Sequence, residues 1–192
     1  MIPSIRAQLL ACGALILASS VSNAQSAQST SAQLSLLAGA ISVRDTIQPG
    51  IGAEAQLRFN RVMASESGVL SVGLGGQFTH HVFANNQSFD IIGAFIEPRY
   101  AFVLSSERFF PYLAGRFAVL QQSSNVLRSS FGYAAGGGGG FGVALGRRVN
   151  LDLGAAALLQ GFNTTTNPER TKQYTFKPIL SFAAKIGLSV GL

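Results

Sequence analysis

Residues 174–192 read YTFKPILSFAAKIGLSVGL, and apolar side chains recur there at every second position. Tyr174, Phe176, Pro178, Leu180, Phe182, Ala184, Ile186, Leu188, Val190 and Leu192 share one parity. Thr175, Lys177, Ser181, Ala183, Lys185, Gly187, Ser189 and Gly191 share the other, which only Ile179 interrupts with a large apolar side chain. A period of two belongs to a β-strand, whose successive side chains point to opposite faces. Soluble strands usually run to about five or six residues, so an alternation this long needs another setting. A strand that crosses hydrocarbon at a tilt and projects beyond it supplies one.

The composition agrees. Hydrophobic residues make up 47% of the 192 positions and charged residues only 11%, against about a quarter charged in an ordinary soluble domain. Beyond the N-terminus no run of about eighteen apolar residues is present to span a bilayer as a helix. Helices and closed barrels are the structures that satisfy every backbone group inside lipid, so the chain reads as a barrel. The formal charge is +6, but the basic residues are scattered singly. They lack the clustered stripe that phosphate neutralisation requires, so no nucleic-acid partner is expected.

Residues 1–24 carry the marks of a secretory signal: Arg6, a short apolar core from Leu9 to Ala18, and the small-x-Ala site Ser22-Asn23-Ala24. Cys12, the only cysteine, lies inside it. After cleavage the chain would have no disulfide, thiolate ligand or cysteine nucleophile. Residues 25–32 are polar and low in complexity and read as a flexible periplasmic lead-in. The barrel is expected over 33–192.

Eight strand-like segments follow at 33–43, 51–60, 69–80, 89–104, 109–120, 131–145, 149–161 and 174–192. In the second, Ile51, Ala53, Ala55, Leu57 and Phe59 alternate with Gly52, Glu54, Gln56, Arg58 and Asn60. In the fourth, Ile92, Ala94, Ile96, Pro98, Tyr100 and Phe102 oppose Gly93, Phe95, Glu97, Arg99 and Ala101. The first segment is ambiguous, because Leu34, Leu36, Leu37 and Ile41 occupy both parities. With a periplasmic N-terminus, the connections at 44–50, 81–88, 121–130 and 162–173 face outward. Those at 61–68, 105–108 and 146–148 face inward, and short inner turns with longer outer loops suit a membrane barrel. Aromatic residues are expected in two girdles at the headgroups: Phe59, Phe102 and Phe109 at one rim, and Phe78, Phe89, Phe131, Tyr133, Phe162, Tyr174 and Phe176 at the other. The fold class is therefore all-β, an eight-stranded antiparallel up-and-down transmembrane β-barrel. A soluble lipocalin-like barrel, with apolar residues inside and polar ones outside, is the architectural alternative.

The same alternation turns Glu54, Arg58, Glu97, Arg99, Arg116, Asp152, Lys177 and Lys185 into the interior. Eight strands enclose a space about wide enough for side chains to fill, and charges confined there must pair. Counting through the 105–108 turn sets Glu97 opposite Arg116. The set reads as a plug of ion pairs, with an ion-conducting or gated lumen as the sharper alternative. Gly136–Gly140 lacks the Lys-Ser/Thr and the helix of a phosphate loop and reads as structural. His80 and His81 point to opposite faces and are poorly placed to chelate one metal; no cofactor, metal or catalytic residue is assigned. A Ser–His–acid set drawn from Ser88, His80 and Asp90 is conceivable at the lipid-facing rim, but their spacing does not single them out.

Three local patterns resemble the small outer-membrane barrel family of OmpA- and OmpX-type and opacity-like proteins. Phe110-Pro111-Tyr112-Leu113-Ala114-Gly115 is similar to its strand opening. Phe141–Gly146 followed by Val149–Gly154 is similar to its glycine-rich penultimate hairpin. The ending with Lys185, Gly187, Val190 and Leu192 is similar to the C-terminal signal read by the barrel assembly machinery, although Phe is usual at the last position and tryptophan is absent. The resemblance implies a Gram-negative outer-membrane location, with outer-membrane lipid, lipopolysaccharide and the assembly machinery as partners. It is weak for function, since such barrels serve as adhesins, anchors, small pores or enzymes. The leading expectation is a non-enzymatic surface or structural role with an unknown ligand at the external loops. A narrow channel comes second and a lipid-modifying enzyme third.

Overall fold

Backbone polar groups inside a membrane must find partners within the protein, and here each long strand finds them on both sides. The structure is a computed structural model that describes residues 29–43, 46–82, 87–104, 108–124, 127–167, 169, 171–175 and 177–192. Strands β1 (Thr30–Val43), β2 (Thr46–Ala64), β3 (Gly68–Val82), β4 (Ser88–Phe102), β5 (Phe109–Ser124), β6 (Ser130–Ala144) and β7 (Val149–Phe162) run up and down. Two short strands, β8 (Thr165–Thr166) and β9 (Gln173–Tyr174), pair with each other. Strand β10 (Ile179–Gly191) then returns between β7 and β1, closing an antiparallel barrel in the order β1-β10-β7-β6-β5-β4-β3-β2. The expected signal segment, 1–24, and most of the lead-in lie outside the described residues.

The outer wall is apolar. Ile51, Leu36 and Leu113 are 70%, 66% and 60% exposed on it, beside Leu34, Leu57, Leu74, Ile92, Phe117, Leu159, Phe182 and Ile186. Buried Glu54, Arg58, Glu97, Arg99, Arg116 and Asp152 point the other way, into the lumen. This polarity is the reverse of a soluble barrel's. It also resolves β1: Leu34 and Leu36 face out, whereas Leu37 and Ile41 face in.

Several element ends differ from the sequence expectation. Strand β1 starts at Thr30 rather than 33, because Ser31 already pairs with Gly191 and Arg58. Strand β2 starts at Thr46, so the expected 44–50 loop shrinks to residues 44–45. Pro49 is tolerated there because the β2–β3 ladder begins only at Gly50–His81, leaving its segment paired to β1 alone. The last barrel strand starts at Ile179 rather than 174. Its outermost partner on β7 is Gln160, and with that ladder exhausted, Tyr174 pairs with Thr165 instead. The aromatic girdles are only partly as expected. Phe59, Phe102 and Phe109 at the turn end and Phe78, Phe131 and Tyr133 at the loop end are exposed on the wall. Phe89 and Phe162 are buried inside, their rings 5.9 Å apart and edge to face. Parity groups Phe89 with Phe95 and Glu97, and apolar character alone does not turn it outward. Phe176 lies outside the described residues.

Near the turn end β2 carries a bulge: its register with β3 shifts between Phe59 and Met63, and Arg61 adopts φ 58°. This left-handed conformation costs an L-residue roughly 1–2 kcal/mol and suits glycine. Arg61→Gly should therefore leave urea unfolding of the reconstituted barrel unchanged or slightly shifted to higher denaturant. Arg61→Val should destabilise it, since a β-branched side chain fits that conformation worst.

Candidate functional site

The lumen holds two layers. Towards the loop end Ile41, Phe89, Ile91, Phe95, Ala118, Leu120, Ala134, Leu158, Phe162 and Ile179 form one apolar cluster. Deeper in the barrel lies a network of charges, positioned by inward-facing residues on β2, β4, β5, β7 and β10.

Glu97 on β4 is its hub. One carboxylate oxygen accepts from Arg58 Nη2 at 2.6 Å and from Arg99 Nη2 at 3.1 Å. The other accepts from Arg116 Nε at 3.0 Å and also from Arg116 Nη2. Lys185 Nζ stands 3.4 Å from both oxygens. Across the lumen Glu54 Oε2 accepts from Arg116 Nη1 at 2.7 Å, and Glu54 Oε1 from Lys185 Nζ at 3.2 Å. Asp152 accepts from the Tyr112 hydroxyl at 2.7 Å and from Arg99 Nη1. The guanidinium carbons of Arg99 and Arg116 lie 3.8 and 4.1 Å from the ring centroids of Tyr112 and Phe95, a favourable stacking of cation on π-face. Arg58 also reaches Gln56 Oε1 and Ser71 Oγ, at 3.0 and 3.3 Å.

Seven of the eight charges expected inside thus meet in one network. Lys177 does not: it is exposed, preceding Pro178 and outside any strand, because β10 begins only at Ile179. Tyr112, Gln56, Ser71 and Gln77, whose Oε1 accepts from Arg116 Nη1 at 3.3 Å, were not among the expected site residues. Tyr112 has the inward parity of Arg116, so alternation carried to the end of β5 would have found it. The wall opposite it must be thin. A Cβ added to Gly154 or Gly140 would stand 2.5 or 2.7 Å from the Tyr112 hydroxyl, so both glycines accommodate the ring that holds Asp152. Of the C-terminal signal residues, Lys185 joins the network and Gly187 is buried against Ser35, while Leu192 lies exposed at the turn end.

The space left over is small. A cavity of about 30 Å³ lies beside Glu97, Tyr112, Arg116 and Lys185. That admits about two water molecules, and side chains of the network pack around it.

Above the lumen, the connections after β5 and β7 are tied together. Arg128 N donates to the Thr166 carbonyl at 3.0 Å, and Thr165 Oγ1 donates to the Arg128 carbonyl at 2.7 Å. The histidines separate. His81 is buried in the lumen, and His80, on the wall, places Nδ1 2.5 Å from Asp90 Oδ1 with both side chains about two-fifths exposed.

An apolar outer wall around a filled, charged lumen defines the class: a small membrane-spanning β-barrel. No protein-family model and no curated protein matches the chain. Among solved structures it is similar to Neisserial surface protein A, with TM-score 0.65 and 17% identity over 85% of this chain and 97% of that one. It is also similar to the outer membrane enzyme PagL, with TM-score 0.54 and 14% identity over 81% of this chain and 97% of that one. The fold is that of the small outer-membrane barrels, as the local sequence resemblance implied.

The hub makes the network's energetics testable. Glu97→Gln removes the charge that three guanidinium groups share, and breaking such a buried set costs about 3–5 kcal/mol. Lys185 makes only long contacts, and without it the lumen's three carboxylates face three guanidinium groups. Lys185→Met should cost less than Glu97→Gln, because Glu97 keeps its three guanidinium donors and Glu54 keeps Arg116 when the lysine is removed. Urea unfolding in lipid vesicles measures both, and equal costs would contradict Glu97 as the hub.

Proposed function

We propose that this chain is an exported outer-membrane barrel with a closed lumen, serving a non-enzymatic surface or structural role through its external loops. The observation that carries this reading is the filled interior: an apolar layer at the loop end above an ion-pair network, with a cavity of about 30 Å³ beside Glu97. Such a lumen suits a rigid frame better than a conduit. Thr30 and Leu192 share the end of the tight turns, consistent with periplasmic termini and outward loops. In that orientation the apolar wall meets outer-membrane lipid and the loop-end rim meets lipopolysaccharide. Lys185, Gly187, Val190 and Leu192 would act as the signal to the barrel assembly machinery before the strand is zipped into place. The external loops would carry the ligand contacts.

Two measurements test this. Purified from the outer-membrane fraction, the protein should run differently on a detergent gel before and after boiling, because a barrel closed by its own hydrogen bonds resists unheated detergent. In planar bilayers it should give no stable conductance steps. Reproducible steps that change on Arg116→Ala would replace the closed frame with a narrow channel.

One observation favours a second reading. His80 and Asp90 are adjacent across the β3–β4 ladder and face the lipid, and Nδ1 bonding to an acid leaves Nε2 available as a base. The fold's likeness to an outer-membrane enzyme keeps lipid modification in view. Under the primary reading, deletion of the gene leaves the lipid A mass profile unchanged. A changed profile that His80→Ala fails to restore would favour the enzyme.

A further inference from the structure

The loop end of the lumen carries a histidine that the closed-frame reading does not use. His81 lies on β3 with the inward parity of Gln77 and is 3% exposed. Its partners across the ladders are Gly50 on β2 and Phe89 on β4. The ring rests on Gly50 so closely that a Cβ added there would stand 2.3 Å from His81 Nδ1. That nitrogen has no hydrogen-bond partner.

The barrel wall changes at this level. The β1–β10 ladder stops at Ile41–Ser181, and the β2–β3 ladder stops at Gly50–His81 itself. Above those pairs β1 and β2 continue as a hairpin, paired with each other as far as Val43–Thr46. Among the described residues this hairpin is laddered to neither neighbour. The seat of His81 on Gly50 therefore lies at its base.

A positive charge on this ring would meet no counter-charge. On β2 it has the backbone of Gln48 and Pro49, which can accept a hydrogen bond but carries no charge. Phe89 on β4 and Ile41 on β1 belong to the apolar cluster. The charged neighbours on the same two strands, His80 and Asp90, pair with each other on the outer wall. Glu54, the lumen carboxylate of β2, lies four residues deeper than Gly50, roughly 13 Å along the strand. Arg44 and Asp45, outside the described residues, adjoin Thr46, which stands roughly 13 Å from Gly50 in the other direction. An imidazolium buried without a carboxylate is costly. With the apolar cluster beneath and the Gly50 backbone beside it, relief comes from movement toward the loops.

We propose that His81 is an acid-sensitive latch. Neutral, it seats against Gly50 and holds the β1–β2 hairpin over the lumen; protonated, it leaves the seat and releases the hairpin. Histidine is the side chain whose charge ordinarily changes between about pH 8 and pH 5. The latch lies at the loop end whichever way the barrel is inserted, and its contact with the external medium rests on the orientation proposed above.

The test is amide hydrogen exchange of the whole barrel refolded in lipid nanodiscs, corrected for the intrinsic pH dependence of exchange. Hairpin amides of β1 and β2 are compared with amides in the middle of β4 and β5. Lowering the pH from about 8 to about 5 should speed exchange several-fold at the hairpin and leave β4 and β5 protected. H81Q, neutral at every pH, should lose the acid step, and H80Q should keep it; these are the two histidines of the chain. G50A, which fills the seat, should show fast hairpin exchange already at neutral pH, and it keeps the test open if H81Q folds poorly. The absence of an acid step in wild type overturns the latch, as does a step that survives H81Q or disappears in H80Q. A G50A hairpin as protected as that of wild type overturns it too. Heat-shifted gel mobility of the same samples reports whether each barrel has closed, which separates a failed barrel from a failed latch.

Discussion

Everything inside this barrel depends on the neutralisation of Glu97. An ionised carboxylate in a water-poor lumen is tolerable only with opposite charge and donors around it. Glu97 receives donors from Arg58, Arg99 and Arg116, each of which engages a further group on another strand. Arg116 carries the network to Glu54 on β2, and Arg99 carries it to Asp152 on β7. The hub thereby links strands far apart around the closed sheet, on top of the ladder bonds between neighbours.

The division of the lumen has a physical logic. Ionic groups lie deep, and the apolar cluster lies above them towards the loops, with Leu120 and Ile91 each 1% exposed. Apolar packing at that end keeps water from entering over the ion pairs, which strengthens their mutual attraction. The cost falls on the facing wall. Tyr112, Arg99 and Arg116 fill the lumen from β4 and β5, and β6 and β7 supply glycine and alanine there. Gly136–Gly140, which superficially suggests a phosphate loop, is part of strand β6, and its Gly140 leaves room for the Tyr112 hydroxyl.

The connections at the two rims differ in build. At the loop end the arc after β7 folds into the β8–β9 pair and is tied to Arg128. At the turn end the connections are short.

The sequence by itself determined the fold class and the in-out assignment of most strands. A period of two in a chain this apolar has few physical solutions, and closure in lipid removes the soluble ones. It also determined that Glu97 and Arg116 would meet, because register through a short turn is simple counting, and the structure joins them at 3.0 Å. Tertiary structure alone decided where strands end, since an edge stops where its neighbour's ladder runs out, as Lys177 beyond β10 illustrates. It alone turned Phe89 and Phe162 into the lumen, because an apolar ring is as content in a packed interior as in hydrocarbon. Tyr112 joined the ion pairs for a similar reason: parity orients a side chain, but the partner it finds across the lumen depends on strands far away in sequence.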